Sequence, residues 1–427
     1  MKINNTFLRG VIFVAGGTAF AQIINTLATP IVTRIYTPEE YGVLTIFTTV
    51  LGLLAFGGYK LEMGIPISNS DKNAANVTFL SMFALFTHAI LLLILFILWH
   101  DELLVFFKIE PLDHYIYLLP LGVALLGLYQ IFKQWAYRNK DFKIIAKTTI
   151  KQSVVGSISN IILGLSGLGV AGLIFGNILK ESLGAYNIAK KYFSSYFFKL
   201  KYIKWTEILS SFIRFKDFPL YNFPAHILNS LSIKVPILFL SIIYGPQVVG
   251  YFGLASTVVR IPLRLIGTSV GDVFYSEAAS IGRSDPSKLK NLSQLLMRKL
   301  IFAGSIPVLV LIFFAPELFS LVFGSQWSKA GVFASICAIM IFFTLIFAPL
   351  SRIYEIFEKQ KLKILIDILK SIAIAILFLA AWLMQFDEYL TIFMYSILMS
   401  IYQLTLYFFA QKILGEKIKE INRDGEL

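Results

Sequence analysis

Basic residues inside long apolar stretches are the chemically most informative feature of this sequence. Ten lie in such stretches: Arg34, Lys60, Lys133, Lys147, Lys151, Lys180, Lys234, Arg260, Arg264 and Lys370. Arg260 and Arg264 share one helical face at i,i+4 spacing, and Lys234 has no acid three or four residues away. Because unpaired cations in apolar surroundings are costly and bind phosphate or carboxylate oxygens, they predict a pocket for an anion.

Four of the ten have a simpler structural interpretation. Lys133 and Lys147 lie near the ends of their stretches and can extend to water, while Lys180 and Lys370 have Glu181 and Asp367 as nearby partners. The other six are the candidate substrate-binding residues: Arg34, Lys60, Lys151, Lys234, Arg260 and Arg264.

Acids in apolar stretches form a second candidate group: Glu62, Glu181, Asp272 and Asp367. A buried carboxylate can bind and release a proton or a sodium ion, which predicts coupling to an ion gradient. The alternative is that these acids only neutralise neighbouring cations. The sequence has no nucleotide-binding Gly-x-x-x-x-Gly-Lys-Ser/Thr loop, so no cofactor is predicted.

The composition indicates that these residues are positioned by a fold that is embedded in a membrane. Hydrophobic residues make up 57% of the 427 and charged residues 15%, against roughly 25% charged in soluble domains. Spans must be helical and about 20 residues long, so the sequence predicts an all-α integral membrane protein with about twelve transmembrane helices. We place them at Arg9–Ile35, Tyr41–Ile67, Phe79–Trp99, Tyr115–Tyr137, Phe142–Leu165, Leu168–Ala189, Phe218–Ile243, Val248–Tyr275, Ile301–Phe323, Ala330–Ile353, Ile364–Met384 and Tyr389–Ile413.

The charges of the connections predict the orientation. The termini and even-numbered connections hold 26 basic residues, and the odd-numbered connections hold 2, which places both termini in the cytoplasm. The N-terminus resembles a signal peptide, but its apolar run continues to Ile35, so we expect no cleavage. The longest connection, 190–216, mixes aromatics with lysines and predicts an interfacial helix.

An internal repeat predicts two halves. Tyr36-x-Pro38-x-x-x-Gly42 recurs 208 residues later as Tyr244-x-Pro246-x-x-x-Gly250, each time after an odd-numbered span. We therefore predict six-helix bundles over 1–190 and 218–427, joined by a linker over 191–217, with the function between them.

Other motifs have structural interpretations. Gly167-x-Gly169-x-x-Gly172 matches a dinucleotide-binding pattern but lies in a hairpin between spans, where it predicts helix packing. The four histidines are scattered, without metal-site spacing, and the single Cys337 is expected to pack in an apolar core.

The segment Pro30-x-x-x-Arg34-x-Tyr36-x-Pro38-Glu39-x-x-Gly42 resembles the start of the Wzx-type polysaccharide and O-antigen flippases of the multidrug/oligosaccharidyl-lipid/polysaccharide exporter superfamily. The Gly167 hairpin and the Gln134-x-x-x-Arg138 stretch are similar to that family too. The resemblance covers the whole chain in length and topology.

This resemblance implies a V-shaped exporter in the bacterial inner membrane. It would move undecaprenyl-pyrophosphate-linked oligosaccharide units from the cytoplasmic to the periplasmic leaflet by alternating access, for lipopolysaccharide biosynthesis. Its partners would be that glycan, membrane lipids and the polysaccharide polymerase machinery, with no nucleic acid and no enzymatic activity. Related lipid II flippases carry cavity arginines in spans one, two and eight; Lys60 and Arg260 or Arg264 match in spans two and eight, and span one has no match.

Three other classes fit less well. The loop 69–73 lacks the signature of major-facilitator transporters, and no outer connection is large enough for a polymerase or ligase. An ion-coupled drug exporter of the same superfamily fits the fold, but a cation-lined cavity suits an anionic cargo better.

Overall fold

A computed structural model of the chain describes residues 5–107, 109–192, 204–261, 263, 268–281 and 285–424. Within these ranges every regular element is helical and there is no strand. The α-helices are α1 Asn5–Ile35, α2 Pro38–Leu54, α3 Gly64–Ile67, α4 Asp71–Leu98, α5 His100–Phe107, α6 Leu118–Arg138, α7 Phe142–Leu165, α8 Gly169–Tyr192, α9 Trp205–Phe215, α10 Phe223–Tyr244, α11 Pro246–Val259, α12 Thr268–Ile281, α13 Pro286–Phe323, α14 Ser328–Phe347, α15 Ile353–Ile356, α16 Gln360–Leu383 and α17 Glu388–Asp424. Short 3-10 turns cover Leu61–Met63, Glu110–Tyr115, Ser325–Trp327 and Pro349–Arg352, and a π-turn covers Phe218–Asn222.

Length and hydropathy identify membrane-crossing helices directly. Five helical stretches of the described ranges are long and apolar enough to cross a bilayer: Asp71–Leu98, Pro286–Phe323, Ser325–Ile356, Gln360–Leu383 and Glu388–Ile421. The count rises to six if Phe218–Leu231 and Ile233–Tyr244, which meet at 44°, form one span. Each of the twelve predicted spans coincides with one helix or with consecutive helices.

The prediction of one continuous helix over Tyr41–Ile67 is wrong. α2 ends at Leu54, and helical structure resumes only with the 3-10 turn that begins at Leu61. The adjacent glycines Gly57 and Gly58 are the physical reason, because glycine is a poor helix former and adopts left-handed backbone angles freely. Gly57 has φ +61°. We call residues 55–60 the break.

Residues 1–250 form one compact unit. In it, α7 packs against both α1 and α8, and α6 packs against α4 and α8. Tyr36 is buried and donates its hydroxyl to the Asn160 carbonyl at 2.8 Å. A Cβ at Gly164 or Gly172 would lie within 2.8 Å of that hydroxyl oxygen, so these glycines serve helix packing, as predicted for Gly172.

The two copies of the repeated turn touch within this unit. A Cβ at Gly42 would lie 1.8 Å from the Pro246 carbonyl oxygen, and a Cβ at Gly250 would lie 1.8 Å from the Pro38 carbonyl oxygen. α2 and α11 each begin at the proline of the motif, where a missing N–H costs nothing. The repeat therefore has a structural cause, since only glycine allows the two backbones to approach so closely.

The amphipathic helix α9 lies beside the end of the second span. Its Phe215 is buried against Gly64, and the Lys72 ammonium contacts a Glu207 carboxylate oxygen at 2.6 Å. Five aromatics and two lysines of the predicted interfacial connection lie in 193–203, outside the described residues.

Residues 251–427 form the second unit. α14 packs against α13 and α17, and α16 packs against α17. Tyr354 is buried and donates its hydroxyl to the Leu406 carbonyl at 2.8 Å. Cys337 is fully buried in α14, in agreement with the packing role predicted for it. The division predicted from the repeat, with a linker over 191–217, stays a prediction.

Candidate functional site

The break is held open by unusual backbone angles at residues with large side chains. Tyr59 and Lys60 have φ values of 54° and 68°, in the left-handed region that costs non-glycine residues about 1–3 kcal/mol each. The break is pressed against α4, because a Cβ at Gly58 would lie 2.6 Å from the Ser81 Cβ. Such strain persists only where the surroundings impose it, and it is concentrated at functional sites.

A buried carboxylate forms a hydrogen bond with the backbone of the break. Glu62 is 2% exposed and accepts a hydrogen bond from the Gly58 N–H at 3.1 Å. A Cβ at Gly57 would lie 3.0 Å from both the Glu62 Oε1 and the Gln130 Oε1, so two side-chain oxygens point toward the space that this glycine leaves. The Lys60 ammonium is within electrostatic reach of the carboxylate.

His88 of α4 ties the two ends of the break together. Its Nε2 lies 3.0 Å from the Leu54 carbonyl oxygen, and its Nδ1 lies 3.0 Å from the Tyr59 hydroxyl. A carbonyl oxygen only accepts, so in the neutral imidazole Nε2 carries the proton and Nδ1 accepts from Tyr59. These two bonds fix the orientation of the Tyr59 ring.

Lys234 and His226 of α10 lie next to the break. The Lys234 ammonium of α10 donates to the Thr49 carbonyl of α2 at 3.4 Å, in a space where a Cβ at Gly52 would lie only 1.7 Å from the Nζ. His226, two turns earlier on α10, is within electrostatic reach of both Lys60 and Lys234. Two predicted binding residues from different spans are therefore brought into one neighbourhood.

Aromatic rings complete this neighbourhood. The Phe223 ring of α10 lies 4.9 Å from the Phe56 ring and 4.9 Å from the Tyr59 ring, edge to face in both cases. The His88 ring lies 5.5 Å from each of Phe56 and Tyr59. All four residues are partly exposed.

The remaining predicted binding residues are placed elsewhere. Arg34 is exposed in the last turn of α1, and Lys151 is exposed with its ammonium 3.5 Å from the Asn187 amide oxygen. Arg260 belongs to the second unit and is within electrostatic reach of Cys337 and Tyr395 there. Arg264 lies outside the described residues.

Arg260 has unmet bonding capacity. Its Nε and the Ser256 Oγ, one turn earlier, are buried and have no hydrogen-bond partner in the described part of the chain. Ser256 and Arg260 share a helical face, and that face therefore carries two buried polar atoms in the second unit.

Two of the other candidate acids are paired. A Glu181 oxygen lies 3.6 Å from the Lys180 ammonium, and an Asp367 oxygen lies 3.8 Å from that of Lys370. Asp367 also accepts a 2.5 Å hydrogen bond from the Tyr402 hydroxyl. The side chain of the fourth candidate, Asp272, is outside the described part of the structure.

Sequence reasoning missed the two histidines and the aromatic rings of the site. Although the four histidines are scattered along the sequence, His88 and His226 both lie beside the break. The signal was a glycine pair next to a lysine inside an apolar span, which predicts a discontinuous helix, the element that builds binding sites in many transporters. The described residues contain no group of histidine, cysteine and acidic side chains that could hold a metal ion.

Comparison with known proteins supplies independent information. A family model described as polysaccharide biosynthesis protein matches residues 31–332. No curated protein matches the chain significantly.

Solved structures of transporters have a similar fold. An inward-facing multidrug resistance MATE family transporter of the MOP superfamily is 16% identical, with a TM-score of 0.73 over 93% of this chain and 96% of that one. The lipid II flippase MurJ, in its inward closed conformation, is 17% identical, with a TM-score of 0.72 over 94% and 87%. A MOP superfamily transporter from Pyrococcus furiosus Vc1 is 13% identical, with a TM-score of 0.58 over 96% of both chains. These similarities confirm the predicted all-α, multi-pass membrane fold.

Proposed function

Because the chain belongs to the polysaccharide biosynthesis protein family, we propose that it is a flippase that moves undecaprenyl-pyrophosphate-linked oligosaccharide units from the cytoplasmic to the periplasmic leaflet of a bacterial inner membrane. The observation that carries this proposal is the packing of α10, the helix of Lys234, beside the break that contains Lys60. The Lys234 ammonium donates to the Thr49 carbonyl of α2, and the Phe223 ring of α10 lies against the ring of Tyr59, the neighbour of Lys60. A pyrophosphate diester carries about two negative charges, which two nearby ammonium groups can balance.

The break suits this task physically. An anion inside the bilayer must be bound by cations, and the free-energy cost of burying those cations must be small. Residues beside unwound helix segments line polar cavities, where this cost is lower. Among the described residues the Lys234 ammonium donates one long bond, to the Thr49 carbonyl, so most of its donor capacity there is available for phosphate oxygens. The protein would act as a carrier that makes and breaks no covalent bond.

Glu62 is the best placed of the coupling candidates. It lies two residues after the break and accepts a hydrogen bond from Gly58 within it, so protonation or sodium binding at this carboxylate would change the electrostatic field that the substrate meets. We propose that an ion gradient drives transport through this carboxylate. In proteoliposomes, collapsing both the proton and the sodium gradients should stop uphill transport; unchanged transport would contradict the coupling.

The orientation follows from the charge distribution and has its own test. A reporter active only in the periplasm should give signal when fused after Glu40 or Gln385, and none after Lys204 or Asp424. The reverse pattern would contradict capture from the cytoplasmic leaflet.

Deletion of the gene in its host tests the proposed function. Lipid-linked oligosaccharide should accumulate on the cytoplasmic leaflet while surface polysaccharide disappears, and drug susceptibility should stay unchanged. A related drug exporter would give the opposite result, with altered drug susceptibility and normal surface polysaccharide. Wild-type protein should restore export, and the Lys60→Ala, Lys234→Ala variant should not, at equal membrane abundance.

A further inference from the structure

The aromatic rings beside the break are not needed to bind a pyrophosphate. We infer that Phe56, Tyr59 and Phe223 form a saccharide subsite that stacks on the sugar joined directly to the pyrophosphate. This inference rests on the proposed function and deepens it, because it assigns separate residues to the two chemical parts of the substrate.

Covalent connectivity supports this division. In the substrate the first sugar is bonded to the pyrophosphate, so the groups that bind the two parts must be neighbours. Tyr59 and Lys60 are consecutive residues with Cα atoms about 3.8 Å apart. Both are in the left-handed region, with φ of 54° and 68°. The break therefore carries an aromatic side chain and a cationic side chain at adjacent backbone positions.

The chemistry of the rings fits a sugar. The C–H faces of a pyranose are apolar and weakly positive, and the face of an aromatic ring is negative. The Phe223 ring lies 4.9 Å from both Phe56 and Tyr59, which gives a continuous aromatic wall built from the break and α10. Lys234 is on the same helix as Phe223, three turns further along.

The Tyr59 ring is oriented before any ligand arrives. Its hydroxyl bonds to His88 Nδ1 at 3.0 Å, and His88 is itself anchored at the Leu54 carbonyl. A ring held in this way loses little conformational entropy when a sugar stacks on it. His88 is thus a positioning residue for this subsite.

Two probes separate the parts of the site. Purified full-length protein is titrated with sugar-free undecaprenyl pyrophosphate and with the host's undecaprenyl-pyrophosphate-linked oligosaccharide. The wild type should bind the glycan-bearing probe more tightly. Phe223→Leu should reduce that preference by roughly three- to tenfold, the size of a lost aromatic contact, and leave the sugar-free probe unaffected. Lys234→Ala should weaken both probes.

Controls keep the outcome interpretable. Phe223→Trp retains an aromatic face and should retain the preference. Phe83→Leu makes the same change at a side chain of α4 that is 63% exposed, and it should behave as wild type. Equal wild-type affinity for the two probes, or an equal loss for both in Phe223→Leu, would overturn the subsite and leave the proposed function standing. Wild-type protein that binds neither probe would overturn both.

Discussion

Gly52→Ala is the most selective perturbation of the cation group. The new methyl group would lie 1.7 Å from the Lys234 Nζ and 3.0 Å from its Cε. The ammonium must therefore retreat by roughly 2 Å to reach ordinary van der Waals contact. Because only the flexible end of a lysine is in the way, the helices themselves need not move.

The expected loss follows from Coulomb's law. At an effective dielectric constant of about 20, moving a unit charge from about 4 to about 6 Å from a phosphate oxygen weakens their attraction by about 1.4 kcal/mol, or about tenfold in affinity. Folding should not suffer, since replacing glycine by alanine within a helix stabilises it by about 0.5–1 kcal/mol. Binding and stability should thus change in opposite directions.

The assay is titration of purified protein with undecaprenyl pyrophosphate, with the unfolding temperature measured on the same samples. Gly16→Ala is the matched control, because a Cβ at Gly16 of α1 would meet nothing within 4 Å. Wild-type affinity in Gly52→Ala would refute the assignment of Lys234 to the anion site. A loss of affinity accompanied by a lower unfolding temperature would show a structural effect instead.

Three further perturbations have distinct expected outcomes. Gly42→Ala should lower membrane abundance and the unfolding temperature, because its Cβ would lie 1.8 Å from a backbone carbonyl that cannot move aside; normal abundance would contradict this. Glu62→Gln should leave the protein folded, since the amide oxygen can still accept from Gly58, but transport should no longer respond to an imposed ion gradient. The hydrogen bond to the Asp101 carboxylate raises the pKa of His100, so the stability that this pair adds is complete below about pH 6.5 and is lost as the pH rises through the raised pKa. The difference in unfolding temperature between wild type and His100→Gln should therefore shrink toward alkaline pH, and a constant difference would contradict the pairing.

Pairing between charges that are close in the sequence could be predicted because it requires no long-range packing. Lys180 with Glu181 and Lys370 with Asp367 were predicted as pairs and are found at 3.6 and 3.8 Å. The all-α membrane fold was predictable for a similar reason, since composition leaves helices as the structures that can hide their backbone in lipid.

The candidate site depends on long-range packing, which the spacing of residues along the sequence does not reveal. Lys60 and Lys234 are 174 positions apart in the numbering, and their approach requires both the break in the second span and the packing of α10 on α2. His88 carries no local signal, because its two partners lie on another helix and in the break. Arg260 is the opposite case. It was predicted from the sequence as a binding cation, but its position near Cys337 and Tyr395 was not predicted.

Translocation by purified protein in proteoliposomes tests the central claim most directly. Undecaprenyl-pyrophosphate-linked oligosaccharide is placed in one leaflet, and its arrival in the other is followed with a membrane-impermeant glycan-modifying reagent. Wild-type protein should move the lipid across the bilayer, and the Lys60→Ala, Lys234→Ala variant should do so at least about tenfold more slowly at equal incorporation. Translocation by the double variant at the wild-type rate would contradict the claim that these cations bind the cargo.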